Sequence, residues 1–218
     1  MKRSHELLAH IPRTDGTIVV APATGCPNEA LQIIHDNADA FTHLQILGMY
    51  SPKEWPAHPN IQRVSTFFSE ADRRCYWPPD GVTPSVETAD VHFSGMFDYM
   101  FDQDPKLVVV NATPEREGLR SLGTGSDYTH PLIEAGVPVY VVEHADMPWV
   151  NGNQFSEERV VGVMPATDDL YRIPTPATSR DPEIDQLIAN NVGQLVVDAA
   201  DSRHRVRAAA TLQIGVGY

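Results

Sequence analysis

The 218-residue chain has only two cysteines, Cys26 and Cys75, set far apart and without a C-x-x-C pair. This supplies neither a disulfide framework nor a cysteine zinc site, and a reducing, cytoplasmic setting is expected. Long apolar runs are lacking as well. Residues 1–11 carry Lys2, Arg3 and Glu6 around a short apolar run at Leu7–Ala9, which fits neither a signal peptide nor a membrane span. Basic charge is scarce: 16 Lys and Arg face 29 Asp and Glu, for a formal net charge of -13. That field repels nucleic acid and offers no basic stripe to neutralise phosphates. It also opposes any polyanionic ligand not held by local cations, helix ends or backbone amides. Nine histidines are present, but none forms H-E-x-x-H, and His5 and His10 miss the helical i, i+4 register, so no metal site is expected.

What the chain has is a series of short β-branched runs: Thr17–Ala21, His43–Leu47, Lys106–Val110 and Val137–Val142. These predict buried strands. Between the first two, residues Pro27–Phe41 place Ala30, Leu31, Ile33, Ile34 and Ala38 on one helical face, with Pro27 suited to a first turn. A second short helix is predicted over Asp127–Ala135, closed by Gly136. Strands alternating with helices imply an α/β fold: an open three-layer sandwich with a mainly parallel sheet. The proline-rich stretch Tyr50–Asp104 predicts loops and short strands. A second proline cluster, Pro165–Pro182, predicts a boundary near residue 180, followed by helical spacing over Glu183–Ala200. Thr211–Gly217 predicts a strand entering a glycine turn. The expected domains are 1–180, a linker helix over 181–210, and the opening strand and loop of a truncated second domain over 211–218.

Four stretches, read in order, resemble the acetyl-CoA hydrolase and 4-hydroxybutyrate (acetate) CoA-transferase family. They are Ile18–Leu31 (IVVAPATGCPNEAL), Leu119–Thr129 (LRSLGTGSDYT), Val141–Gly152 (VVEHADMPWVNG) and Thr211–Gly217 (TLQIGVG). The chain departs from the family pattern at His144, where asparagine is usual, and at the basic run Arg203, His204, Arg205 and Arg207, which resembles a small insertion.

The resemblance implies the N-terminal half of an acyl-CoA:carboxylate CoA-transferase or acetyl-CoA hydrolase. In that reaction a glutamate attacks the acyl-CoA carbonyl, giving first an anhydride and then a glutamyl-CoA thioester. The glutamate lies shortly downstream of the glycine loop, so no catalytic carboxylate is assigned within these residues. Glu115, Glu117, Asp127 and Glu143 do not match its position. Backbone amides near Ala23 or Thr24 are implied as oxyanion donors. Gln213, Gly215, Val216 and Gly217 are implied to approach coenzyme A, which acts as a substrate, with no permanently bound cofactor. The implied partners are acyl-CoA, a short-chain carboxylate and the remainder of a C-terminal domain. A homo-oligomer is compatible with the same features.

Each motif also has a plainer reading. The Ala21–Pro27 loop is an ordinary β-α turn in a fold full of them. Gly123, Gly125, Ser126 and Asp127 form a weak G-x-G signal with no predicted strand immediately before it, and Asp127 reads better as a helix cap. Cys26 lacks any Cys-His-Asp signature and reads as a packing residue rather than an activated thiol. Arg203, Arg205 and Arg207 read as a solvated linker face rather than a phosphate clamp. Two rival functions remain open. One is a sugar-phosphate isomerase or deaminase on a related scaffold. The other is a non-catalytic binding or assembly subunit paired with a separate glutamate-bearing chain.

Overall fold

The structure, a computed structural model, describes residues 2–78, 84–172 and 181–201. The chain divides into two compact units, Met1–Ile173 and Pro174–Tyr218. In the second unit the described element is a helix, Pro182–Asp201. All the other described elements belong to the first unit.

The centre of the first unit is a seven-stranded sheet. In chain order the strands are β1 (Thr17–Val20), β2 (Leu44–Gly48), β3 (Ile61–Ser65), β4 (Glu87–Thr88), β5 (Leu107–Ala112), β7 (Val139–Glu143) and β9 (Val160–Pro165). The spatial order is β4-β3-β2-β1-β5-β7-β9, and every neighbouring pair is parallel. Two further strands, β6 (Leu119–Ser121) and β8 (Gln154–Ser156), form a separate antiparallel ribbon. The helices are α1 (Lys2–Ala9), α2 (Asn28–Asp36), α3 (Glu70–Tyr76), α4 (Met96–Asp102) and α5 (Thr129–Glu134).

Strand side chains alternate between faces, and both faces are apolar. Ile18, Val20, Leu107, Val109, Tyr140 and Val142 pack with Leu7 of α1 and Leu31 and Ile34 of α2. The intervening Val19, Val108, Val110, Val139 and Val141 pack with Met100 of α4 and Leu132 and Ile133 of α5. Two cores, one per face, make the three-layer α/β sandwich that the sequence pattern predicts.

Several predicted elements are shorter than expected. The helix from Pro27 stops at Asp36 because the Asn37 side chain takes the Ile33 carbonyl (2.8 Å), and a single 3-10 turn follows at Ala38–Ala40. The Asp127 helix starts at Thr129, whose amide and hydroxyl both donate to Asp127 Oδ1 (2.7 Å each). The region 50–104 is more regular than its prolines suggest, since it contains β3, α3, β4 and α4. Helix α3 is fixed by a capping box in which Ser69 Oγ accepts from the Asp72 amide (3.0 Å) and the Asp72 carboxylate accepts from the Ser69 amide (3.1 Å). Contrary to expectation, a strand does immediately precede Gly123: β6 ends two residues before it.

Candidate functional site at the carboxyl edge of the sheet

Strands β1 to β4 run outward in one direction, and the chain then crosses back to place β5 on the other side of β1. This β1/β5 junction is the sheet's switch point, and in open α/β sheets ligands bind in the crevice beyond the strand ends there.

The loop leaving β1 occupies that crevice. Ala23 has a left-handed backbone (φ 48°), and its amide donates to the Tyr50 carbonyl (3.2 Å). Gly25 donates to Pro22 (2.9 Å) and Cys26 to Ala23 (3.1 Å), closing a 3-10 turn. Of the two oxyanion candidates, Ala23 is thus occupied, whereas the Thr24 amide has no hydrogen-bond partner among the described residues. Across the junction Asn111, near the end of β5, donates from Nδ2 to the Cys26 carbonyl (2.9 Å) and the Thr24 carbonyl (3.4 Å). A free amide beside an immobilised turn is the arrangement an oxyanion donor needs.

A second wall comes from the loop after β6. Thr124 and Thr24 share a hydroxyl contact of 3.2 Å. That loop is braced by Asn153, whose Nδ2 donates to the carbonyls of Gly123 (2.7 Å) and Gly125 (2.6 Å), while its Oδ1 accepts from Ser121 Oγ (2.9 Å). Gly123 has φ 59°, and a Cβ there would lie 2.5 Å from Met147 Cγ. Gly123 therefore serves close packing on the Met147–Pro148 segment, while Gly125 faces Leu122 and Asp127.

On the α2 side of the β5 and β7 ends lies a cavity of about 150 Å³. Cys26, Asn111, Val142, His144, Asp168 and Asp169 are among the residues that line it. Glu29, in the first turn of α2, accepts from the amides of Thr167 and Asp168 (2.5 Å each) and so pins the segment after β9 beside the cavity. His144 is 5% exposed. Burial pushes its imidazole below the ordinary value, opposed by the nearby carboxylates of Asp146, Glu29, Asp168 and Asp169. Cys26 Sγ is buried, contacts Asn28 Oδ1 (3.6 Å) and has its pKa raised by burial to about 12, the state of a packing residue rather than a nucleophile.

Three of the other carboxylates considered from sequence are engaged structurally. Glu143 Oε2 accepts from Arg120 Nη1 (2.7 Å), and the same buried guanidinium donates to Glu157 (2.5 and 3.1 Å) and to the Thr113 carbonyl (3.0 Å). Glu115 accepts from the Gly118 amide (2.5 Å), and Asp127, one residue before the Tyr128 N-cap of α5, accepts from the Thr129 amide (2.7 Å). Glu117 is exposed in the turn before β6, with φ 55°. Among the described residues no three His, Cys, Asp or Glu side chains gather to hold a metal ion, and no helix is long and apolar enough to cross a membrane. Gln213, Gly215, Val216 and Gly217, with Arg203, His204, Arg205 and Arg207, lie outside the described residues.

Sequence reasoning passes over Asn111, Asn153 and Arg120. For Asn111 a signal exists, namely one amide inside the apolar strand LVVVNA. For Asn153 and Arg120 there is none, because, apart from the Thr113 carbonyl, their partners lie 23 to 37 residues away in the chain.

No family model and no curated protein matches the sequence. Solved structures do match the fold. RipA from Yersinia pestis superposes with a TM-score of 0.73 at 16% identity, over 86% of this chain and 47% of that one. A point variant of RipA gives 0.74 at 15% identity, over 92% and 52%. A 4-hydroxybutyrate CoA-transferase from Porphyromonas gingivalis gives 0.57 at 16% identity, over 80% and 41%. At such identities the likeness establishes a shared CoA-transferase-like α/β fold. The chain spans about half the length of these structures.

Proposed function

We propose that this chain forms one wall of an acyl-CoA site in a CoA-transferase or acyl-CoA hydrolase, with the attacking glutamate supplied from outside these 218 residues. The observation that carries the reading is the unpartnered Thr24 amide, held at the sheet's switch point by the Asn111 tether to the same turn. The fold shared with a 4-hydroxybutyrate CoA-transferase supports it. In this reading Thr24 N–H stabilises the oxyanion that forms when the glutamate adds to the thioester carbonyl. Such a donor is typically worth about 3 kcal/mol of barrier. Collapse of that intermediate expels coenzyme A, which then attacks the resulting anhydride to give the glutamyl thioester and free carboxylate. A second carboxylate, or water, completes transfer or hydrolysis.

The test is acyl exchange. The chain joined to its glutamate-bearing half is mixed with acetyl-CoA and deuterated acetate, and label in acetyl-CoA is followed by mass spectrometry. Exchange that disappears when the glutamate is replaced by glutamine supports the reading. Failure to exchange or hydrolyse any short-chain acyl-CoA rejects it.

A further inference from the structure

The cavity beside His144 has an electrostatic character unlike that of a site for anionic substrates. Among the described residues no Lys or Arg lines it, whereas Glu29, Asp168 and Asp169 do, on a chain of net charge -13. An acidic rim alone would mean little, but the wall behind it holds unused acceptors. The His144 ring, on a residue 5% exposed, makes no hydrogen bond among the described residues. Asn111 is 3% exposed and directs Nδ2 at the β1 turn, which leaves its buried Oδ1 without a partner among the described residues. Buried polar groups are normally satisfied, and an unpartnered imidazole lining a cavity, together with the unsatisfied Asn111 Oδ1, favours a ligand that donates hydrogen bonds. A neutral imidazole supplies an acceptor nitrogen, and the aspartates supply charge.

From this juxtaposition we infer that the cavity between His144, Asn111, Asp168 and Asp169 binds the ammonium group of a small primary amine. An ammonium brings three donors and one positive charge, matching the acceptors and the rim. A carboxylate or phosphate would meet three negative side chains and no cation among the described lining residues. A divalent ion lacks a ligand set among the described residues. The volume of about 150 Å³ limits the amine to a few heavy atoms. The site does not depend on the acyl-CoA reading, and its test contains no acyl-CoA.

The test uses the full chain with isotope-labelled histidine rings, followed by NMR at about pH 7.5, where an alkylamine is charged. The His144 signal is assigned with His144→Gln. The probes are n-propylamine, propan-1-ol and propionate, which share size and differ in headgroup. Propylamine is expected to shift the His144 signal saturably, at least about tenfold more tightly than propan-1-ol, with propionate without effect. Asp168 and Asp169 are exposed, so the Asp168→Asn/Asp169→Asn variant should fold, and it should weaken propylamine binding by about tenfold or more. Absence of a saturable shift with propylamine overturns the inference, as does equal affinity for the alcohol, tighter binding of propionate, or an unchanged affinity in the double variant.

Discussion

Asn111 Nδ2 donates to the Cys26 carbonyl across 2.9 Å, joining the end of β5 to the turn that leaves β1. Eighty-five residues separate the two in sequence, and the bond spans the point where the sheet reverses its direction of growth. Replacing Asn111 with alanine removes the side-chain donor shared by the Cys26 and Thr24 carbonyls and frees the Thr24 turn, while the Cys26 carbonyl keeps the Asn28 amide (3.0 Å). The expected cost is about 0.5–1.5 kcal/mol in urea unfolding. Faster hydrogen exchange should be confined to the amides of Gly25 and Cys26. Slow exchange at both amides in a destabilised variant would mean that Asn111 holds the strand and not the turn.

Two glycines with left-handed backbones separate packing from conformation. Gly118 has φ 79° and nothing within 4 Å of where a Cβ would stand, whereas Gly123 has φ 59° and faces Met147. Gly118→Ala should therefore cost only the backbone term, about 1 kcal/mol. Gly123→Ala should add steric displacement of Met147, for a total of about 2–4 kcal/mol. Equal losses at the two positions would show that the Met147 contact relaxes freely.

The buried pair below the β1 loop gives an asymmetric expectation. Arg63 Nη2 meets Asp72 Oδ1 at 3.3 Å, and Asp72, which is 0% exposed, also accepts from the amides of Ser51 (2.9 Å) and Ser69 (3.1 Å). Asp72→Ala strands a buried guanidinium and two amides, costing about 3–5 kcal/mol. Arg63→Met leaves Asp72 with its backbone donors and should cost less than about 2 kcal/mol. Chemical denaturation of the two variants measures the difference, and a larger loss for Arg63→Met would reverse the assignment of which charge depends on which.

His35 gives a pH dependence. Its ring stacks on Trp55 (centroids 4.9 Å apart), its Nε2 is buried without a partner among the described residues, and burial, reinforced by Arg63, lowers its pKa from 6.5 to about 4. Because the folded pKa is depressed, the unfolded chain binds the proton first. Stability is complete above about pH 6.5 and falls as pH drops toward about 4. With solvent screening of the half-buried ring allowed for, the loss attributable to His35 is on the order of 2 kcal/mol. Subtracting the pH profile of His35→Gln from that of the unaltered chain isolates it from the titrating carboxylates, and superimposable profiles would show that His35 titrates normally.

The fold is legible in the sequence because β1, β5 and β7 are short valine- and isoleucine-rich runs buried on both faces, and such runs between turn residues and helical segments predict buried strands. Helix α3 is obscured by neighbouring prolines, although Ser69 and Asp72 already stand at capping-box spacing. Strand β9 alternates weakly and contains Gly162, which is required because a Cβ there would lie 2.5 Å from Tyr140 Cε2. The loop at Ala23 and Thr24 stands out only through resemblance. That Tyr50 occupies one of its amides depends on β2 lying beside β1, a tertiary fact with no local signature.

Three carboxylates around the β1 loop are engaged elsewhere: Glu29 holds the segment at Thr167, Glu143 pairs with Arg120, and Asp127 accepts from the Thr129 amide. Cys26 is protonated and buried, so its thiol is not a ready nucleophile. Under the proposed function the Thr24 amide can stabilise an oxyanion only after another group has attacked, and the net charge of -13 disfavours an anionic thioester. These 218 residues alone should therefore release no thiol from acetyl-CoA above the uncatalysed background, and calorimetry should detect at most weak coenzyme A binding. When the glutamate-bearing half is present, Gly25→Val should lower kcat with little change in KM, because the turn acts in the transition state. Steady thiol release by the isolated chain would place a complete site within it, and a rise in KM alone would make the turn a substrate-binding loop.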